Sequence, residues 1–79
     1  MEEFLKWLVI KKNFTTKSAH DVQSRLKRVQ TITHNQGIVE NTIVILEKEP
    51  DFQCLTVSVK SQLRRTVRLY LQYELDKGM

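Results

Sequence analysis

The sequence predicts an all-α fold, a small four-helix orthogonal bundle, and three observations carry that expectation. Apolar residues recur at steps of three and four over most of the chain, the spacing of one helix face. Gly37, Pro50 and Gly78 are the only glycines and proline, too few for the frequent tight turns of a strand protein. The hydrophobic fraction of 41% is that of a folded domain and not of a disordered tail. A chain of this length has room for one core and no second lobe, so residues 1–79 read as a single domain.

The first helix spans Glu2 to about Lys12. Phe4, Leu5 and Leu8, with Trp7 beside them, form its apolar face, while Glu2 and Glu3 open it and Lys11 and Lys12 close it, as the helix dipole favours. Asn13 to Thr16 is a short connection. Thr16 or Ser18 can cap the second helix, and Ser18 to Asp21 has the spacing of a capping box. Ala19, Val22, Leu26 and Val29 carry the apolar stripe to about Ile32, with Lys17, Ser24, Lys27 and Arg28 mainly opposite and Arg25 on the flank. The helix is expected to end through Asn35 or Gly37.

The third segment, Ile38 to Glu49, is the ambiguous one. The run Ile43 to Leu46 is β-branched and by propensity a strand. No partner strand is near, and a lone strand leaves its backbone groups unsatisfied, so a short helix ending before Pro50 is expected. Asp51-Phe52 reads as a turn that drops an aromatic anchor into the core. The last helix runs from about Val57 to Asp76, capped by Ser58 and striped by Val59, Leu63, Val67, Tyr70 and Leu71. Tyr70 is expected in the core and Tyr73 at its edge with a wet hydroxyl.

Several function classes drop out. Cys54 is the only cysteine, so there is no internal disulfide and no multi-cysteine metal site; its neighbours make it a packed position. The lack of a disulfide framework in so small a domain suits a cytoplasmic location. The apolar run Trp7 to Ile10 is cut off by Lys11-Lys12, so no signal peptide or membrane span is expected. There is no glycine-rich phosphate loop, and His20 and His34 lie on different elements without ligand spacing. Asp21 follows His20 directly, and helix neighbours point about 100° apart. The chain is expected not to be an enzyme and to hold no cofactor.

The charge pattern is more informative. Thirteen Lys and Arg against nine Asp and Glu give a net charge of +4. The second helix offers Lys17, Lys27 and Arg28 around Ser24, and the last offers Lys60, Arg64, Arg65 and Arg68 with Ser61 and Gln62. From Lys60 to Arg68 there is no acidic residue, whereas a helix charged only for solubility usually mixes signs. Glu40, Glu47, Glu49 and Asp51 gather in the middle of the chain. A molecule with one basic and one acidic face suits docking on double-stranded DNA, and suits head-to-tail protein association equally.

The order of elements resembles the N-terminal core-binding domain, a SAM-like helical domain, of tyrosine recombinases and phage integrases. The residues that carry the resemblance are Phe4 to Leu8, the threonine- and serine-led stretch Thr16 to Leu26, and the serine-led stretch Ser58 to Tyr70 with its Tyr70-x-x-Tyr73 ending. The resemblance implies half of a clamp lying across the DNA major groove. Its contacts would be Thr16, Lys17, Ser24 and Lys27 on the second helix and Lys60, Gln62, Arg64 and Arg65 on the last, to which the basic faces themselves add Arg28 and Arg68 as DNA-contact candidates. The family's catalytic domain has no counterpart, and Tyr70 and Tyr73 match the binding domain's own last helix and not the nucleophile. The chain then reads as a recombinase fragment, with a linker beginning at Asp76 to Met79, or as a stand-alone relative. The alternative is a protein-interaction or self-associating module, a homo-oligomer for instance, because Trp7, Ile10, Phe14, Ile38, Ile43 and Tyr73 are many large apolar groups for one small core.

Overall fold

Five helical segments follow one another: α1 (Glu2–Lys11), α2 (Thr16–Thr33), α3 (Thr42–Lys48), α4 (Pro50–Gln53) and α5 (Val57–Lys77). The structure, a computed structural model, describes residues 2–78; Met79, at the end of the expected linker, and the side chain of Glu2 lie outside the described residues. The four expected helices are present, and α4 is an additional single turn where a plain turn was expected. No strand occurs among the described residues.

Local chemistry explains each boundary. Asn13 ends α1 in the left-handed region at φ 58°, a conformation asparagine tolerates better than most residues. The Phe14 N–H then donates to the Leu8 carbonyl at 3.1 Å. The cap of α2 is Thr15 and not Thr16 or Ser18: its extended backbone lets Oγ1 accept from the Ser18 N–H at 3.1 Å. Ser18 is thereby the capped residue, so the expected box from Ser18 to Asp21 does not start the helix. At the far end His34, not Asn35 or Gly37, takes the left-handed turn at φ 56°. The Asn35 N–H donates to the Gln30 carbonyl, closing the helix as such ends do.

The β-branched run is helical. Thr42 is buried and its Oγ1 accepts from the Val39 N–H at 2.8 Å, which ties the preceding loop to the first turn of α3. Pro50 stops α3 as expected, but it also begins α4, because the first helical position has no use for an N–H. Phe52 on that turn is buried, whereas Cys54 just beyond it is exposed. The expected packing role for Cys54 is therefore corrected: the turn that aims Phe52 inward carries Cys54 outward. Thr56 caps α5 in place of Ser58, its Oγ1 accepting from the Val59 N–H at 3.3 Å.

The core lies where α2 crosses α5, the most extensive helix pair, with α1 and α3 each touching both. Phe4, Leu8, Ala19, Leu26, Val29, Leu46, Phe52, Leu63 and Val67 are fully or almost fully buried. The two tyrosines exchange their expected roles: Tyr73 is buried and Tyr70 half-buried. Tyr73 is drawn in by α1. It packs against Phe4 and Trp7 with ring centroids 5.3 and 5.7 Å away, and its hydroxyl donates to Glu3 Oε2 at 3.4 Å. The Trp7 indole N–H donates to Asp76 at 2.8 Å, fastening α1 to the last turns of α5. The supposed apolar surplus is mostly absorbed. Trp7, Ile38 and Tyr73 are buried, Phe14 and Ile43 are partly buried against the core, and only Ile10 stays exposed.

Candidate nucleic-acid interface

The two helices that form the spine also carry the excess of positive charge. On α2, Lys17, Arg25, Lys27 and Arg28 stand against Asp21. On α5, Lys60, Arg64, Arg65, Arg68 and Lys77 stand against Glu74 and Asp76. The segment from Glu40 to Asp51 has the opposite balance, with Lys48 as its one cation.

The expected contact residues do not share one face. On α5, Lys60 and Arg64 turn toward α4, where their cationic ends lie 5.9 and 5.4 Å from the centre of the buried Phe52 ring. Arg64 also donates to Glu47 through Nε at 3.0 Å and Nη2 at 2.7 Å. Glu47 therefore reaches across to the basic helix, and the expected separation of an acidic from a basic face fails at this position. Arg65 turns the other way. Its guanidinium lies 5.8 Å from the Phe14 ring centre. With Gln62 and Arg25 it lines an open groove of about 480 Å³ between the α1–α2 connection, α2 and α5.

Asn13, Thr15, Ser18, Asp21 and Thr66 contribute the remaining polar lining of that groove. Arg25 and Arg65 make no ion pair among the described residues, in contrast to Arg64. Thr16, Lys17, Ser24, Arg28 and Arg68 are exposed and lie outside the groove lining. Lys27 borders a separate depression with Gln30, Thr31 and Gln36. Of the ten expected contacts, the groove thus gathers Gln62 and Arg65.

Sequence reasoning missed Arg25 as a member of the site. The signal was present in the spacing. Ser18, Asp21, Val22 and Arg25 recur at three- and four-residue steps along the edge of the apolar stripe. Residues at such an edge are where a neighbouring helix makes a groove. The contribution of Asn13, Phe14 and Thr15 depends on the left-handed Asn13 turn, which no spacing announces.

Both phenols of the last helix are shifted upward. Partial burial, with the Glu74 carboxylate one turn on, pushes the Tyr70 phenol up to about 12. Burial, and then the charge of Glu3, raise that of Tyr73 as well. No three His, Cys, Asp or Glu side chains converge into a metal-binding group among the described residues. No helix among them is long and apolar enough to cross a membrane.

Scans against protein-family models, curated proteins and solved structures found no match to this chain.

Proposed function

We propose that this chain is a DNA-binding module that contacts double-stranded DNA through the surface shared by α2 and α5. The observation that carries this reading is the concentration of unpaired cations on those two helices, with Arg25 and Arg65 converging on one open polar groove. Lys17, Arg28 and Arg68 extend the positive surface on the solvent side. Arginine, glutamine and serine together suit phosphate oxygens and base edges alike. The resemblance of the sequence to a recombinase core-binding domain supplies the analogy for how such a module would lie on a duplex.

The reading is tested by fluorescence anisotropy with a labelled duplex of roughly 30 base pairs over a range of salt concentrations. Each neutralised phosphate adds about −0.9 to the slope of log affinity against log salt. Contacts by five or so cations predict a slope of roughly −4.5, so affinity falls about five-hundredfold between 50 and 200 mM salt. An absence of binding at 50 mM salt would refute the reading.

A second reading has its own support. Val39, Val44 and Ile45 remain exposed on and beside α3, within seven positions of one another. A protein partner would cover such residues, and they replace the set first suspected of doing so. Sedimentation at rising concentration tests its self-associating form: concentration-dependent mass favours association, and a constant monomer mass removes the homo-oligomer.

A further inference from the structure

We infer that the groove between the α1–α2 connection, α2 and α5 is a seat for a single phosphodiester of one DNA strand, and that Phe14 is the positioning residue that holds Arg65 in it. The inference rests on the DNA-binding reading for its biological ligand but names a particular site, ligand charge and residue coupling that the reading does not contain.

Three observations lead to it. The groove is lined by polar groups from three elements, with Arg25 on α2 and Arg65 and Gln62 on α5 as its long donors. Arg65 is exposed, and an exposed arginine ordinarily samples many rotamers and loses that freedom on binding. Here the guanidinium lies 5.8 Å from the Phe14 ring centre, within cation–π range, and Phe14 itself packs on the core. The left-handed turn at Asn13 and the bond from the Phe14 N–H to the Leu8 carbonyl fix the backbone that presents the ring. Arg65 is therefore held in place before a ligand arrives, by a ring that forms part of the groove wall.

Charge then selects the ligand. The charged lining residues are Arg25, Arg65 and Asp21, a formal balance of one positive charge. A phosphodiester carries one negative charge and matches that balance, whereas a terminal phosphomonoester approaches two. Asp21 penalises the second charge and leaves the first well served by two guanidinium groups. The same carboxylate offers an acceptor to a base amino group near the phosphate.

The experiment pairs two probes. Thymidylyl-thymidine, which has one phosphodiester and no terminal phosphate, is titrated into the labelled protein and followed by NMR. Its 5′-phosphorylated form is titrated in parallel. The expected result is shifts confined to Ser18, Arg25, Gln62 and Arg65, and weaker binding of the 5′-phosphorylated form that Asp21→Asn relieves. With the duplex, Phe14→Leu keeps an apolar side chain but removes the ring, and should weaken binding about two- to fivefold without moving the thermal midpoint much. Arg65→Ala should reduce the salt slope by about 0.9, and Phe14→Leu should add nothing in that background.

Additive effects of the two substitutions, or a neutral Phe14→Leu beside a damaging Arg65→Ala, would overturn the positioning role. Normal duplex binding with no groove shifts from the dinucleotide, and an unaffected Arg65→Ala, would overturn the seat while leaving the functional reading intact. Groove shifts from the dinucleotide without duplex binding would support the seat and overturn the functional reading instead.

Discussion

Arg64 and Arg65 are adjacent in sequence, and the structure gives them different work. Arg64 is bonded to Glu47 and lies against Phe52; Arg65 is free of carboxylates among the described residues and faces the groove. A pair of which both partners are substantially exposed contributes at most about 1 kcal/mol to stability. Replacing Arg64 with alanine should therefore lower the thermal midpoint by only a few degrees and leave duplex affinity within about twofold, the size of a rim charge. Replacing Arg65 should do the reverse. Anisotropy and thermal melts on the two single variants decide it, and a larger loss of DNA affinity from Arg64→Ala than from Arg65→Ala would invert the assignment. The sequence alone could not separate them. Neighbours on a helix point about 100° apart, but which of the two directions meets an acid and which meets a groove depends on where α3 and the α1–α2 connection come to rest.

At the scale of the element, helix identity was legible and helix beginnings were not. The apolar spacing of α1, α2 and α5 is long and regular, and packing onto α2 and α5 settles the β-branched stretch of α3 in favour of helix. The two caps were misplaced for a shared reason. Both sites are rich in hydroxyls, Thr15, Thr16 and Ser18 at one and Thr56 and Ser58 at the other, and each could serve chemically. The hydroxyl that caps is the one whose backbone is still extended, with ψ near 159° at both Thr15 and Thr56. That is set by how the connection enters the bundle and not by the side chain. Thr56→Ala should cost about 1 kcal/mol, roughly 4–8 °C in the thermal midpoint of a domain this size. Ser58→Ala, on an exposed residue within the first turn, should change it by less than about 2 °C. Equal losses from the two variants would show that the cap is shared.

At the scale of the whole molecule, the uneven spread of charge was readable from the sequence, but its consequence for orientation depends on the fold. The acids of residues 40–51 sit on and around α3 and α4, while α2 and α5 carry the cations, so the protein has an electrical direction as well as a shape. Glu47 is the exception, being neutralised by Arg64. If α2 and α5 face the duplex, Glu40, Glu49 and Asp51 act on it only through the long-range field, where they repel the polyanion and slow its approach. Screening limits such an effect, since the Debye length is about 10 Å at 0.1 M salt and shrinks as salt rises. The combined variant Glu40→Gln, Glu49→Gln and Asp51→Asn should thus bind several-fold tighter at 20 mM salt, chiefly through faster association, and match the native protein above roughly 0.2 M. Its dissociation rate should be unchanged throughout. Stopped-flow association measured across that salt range distinguishes field from contact: a gain that persists at high salt and appears in the dissociation rate would put the acidic segment inside the interface, and the α2–α5 surface would then have to be turned away from the DNA.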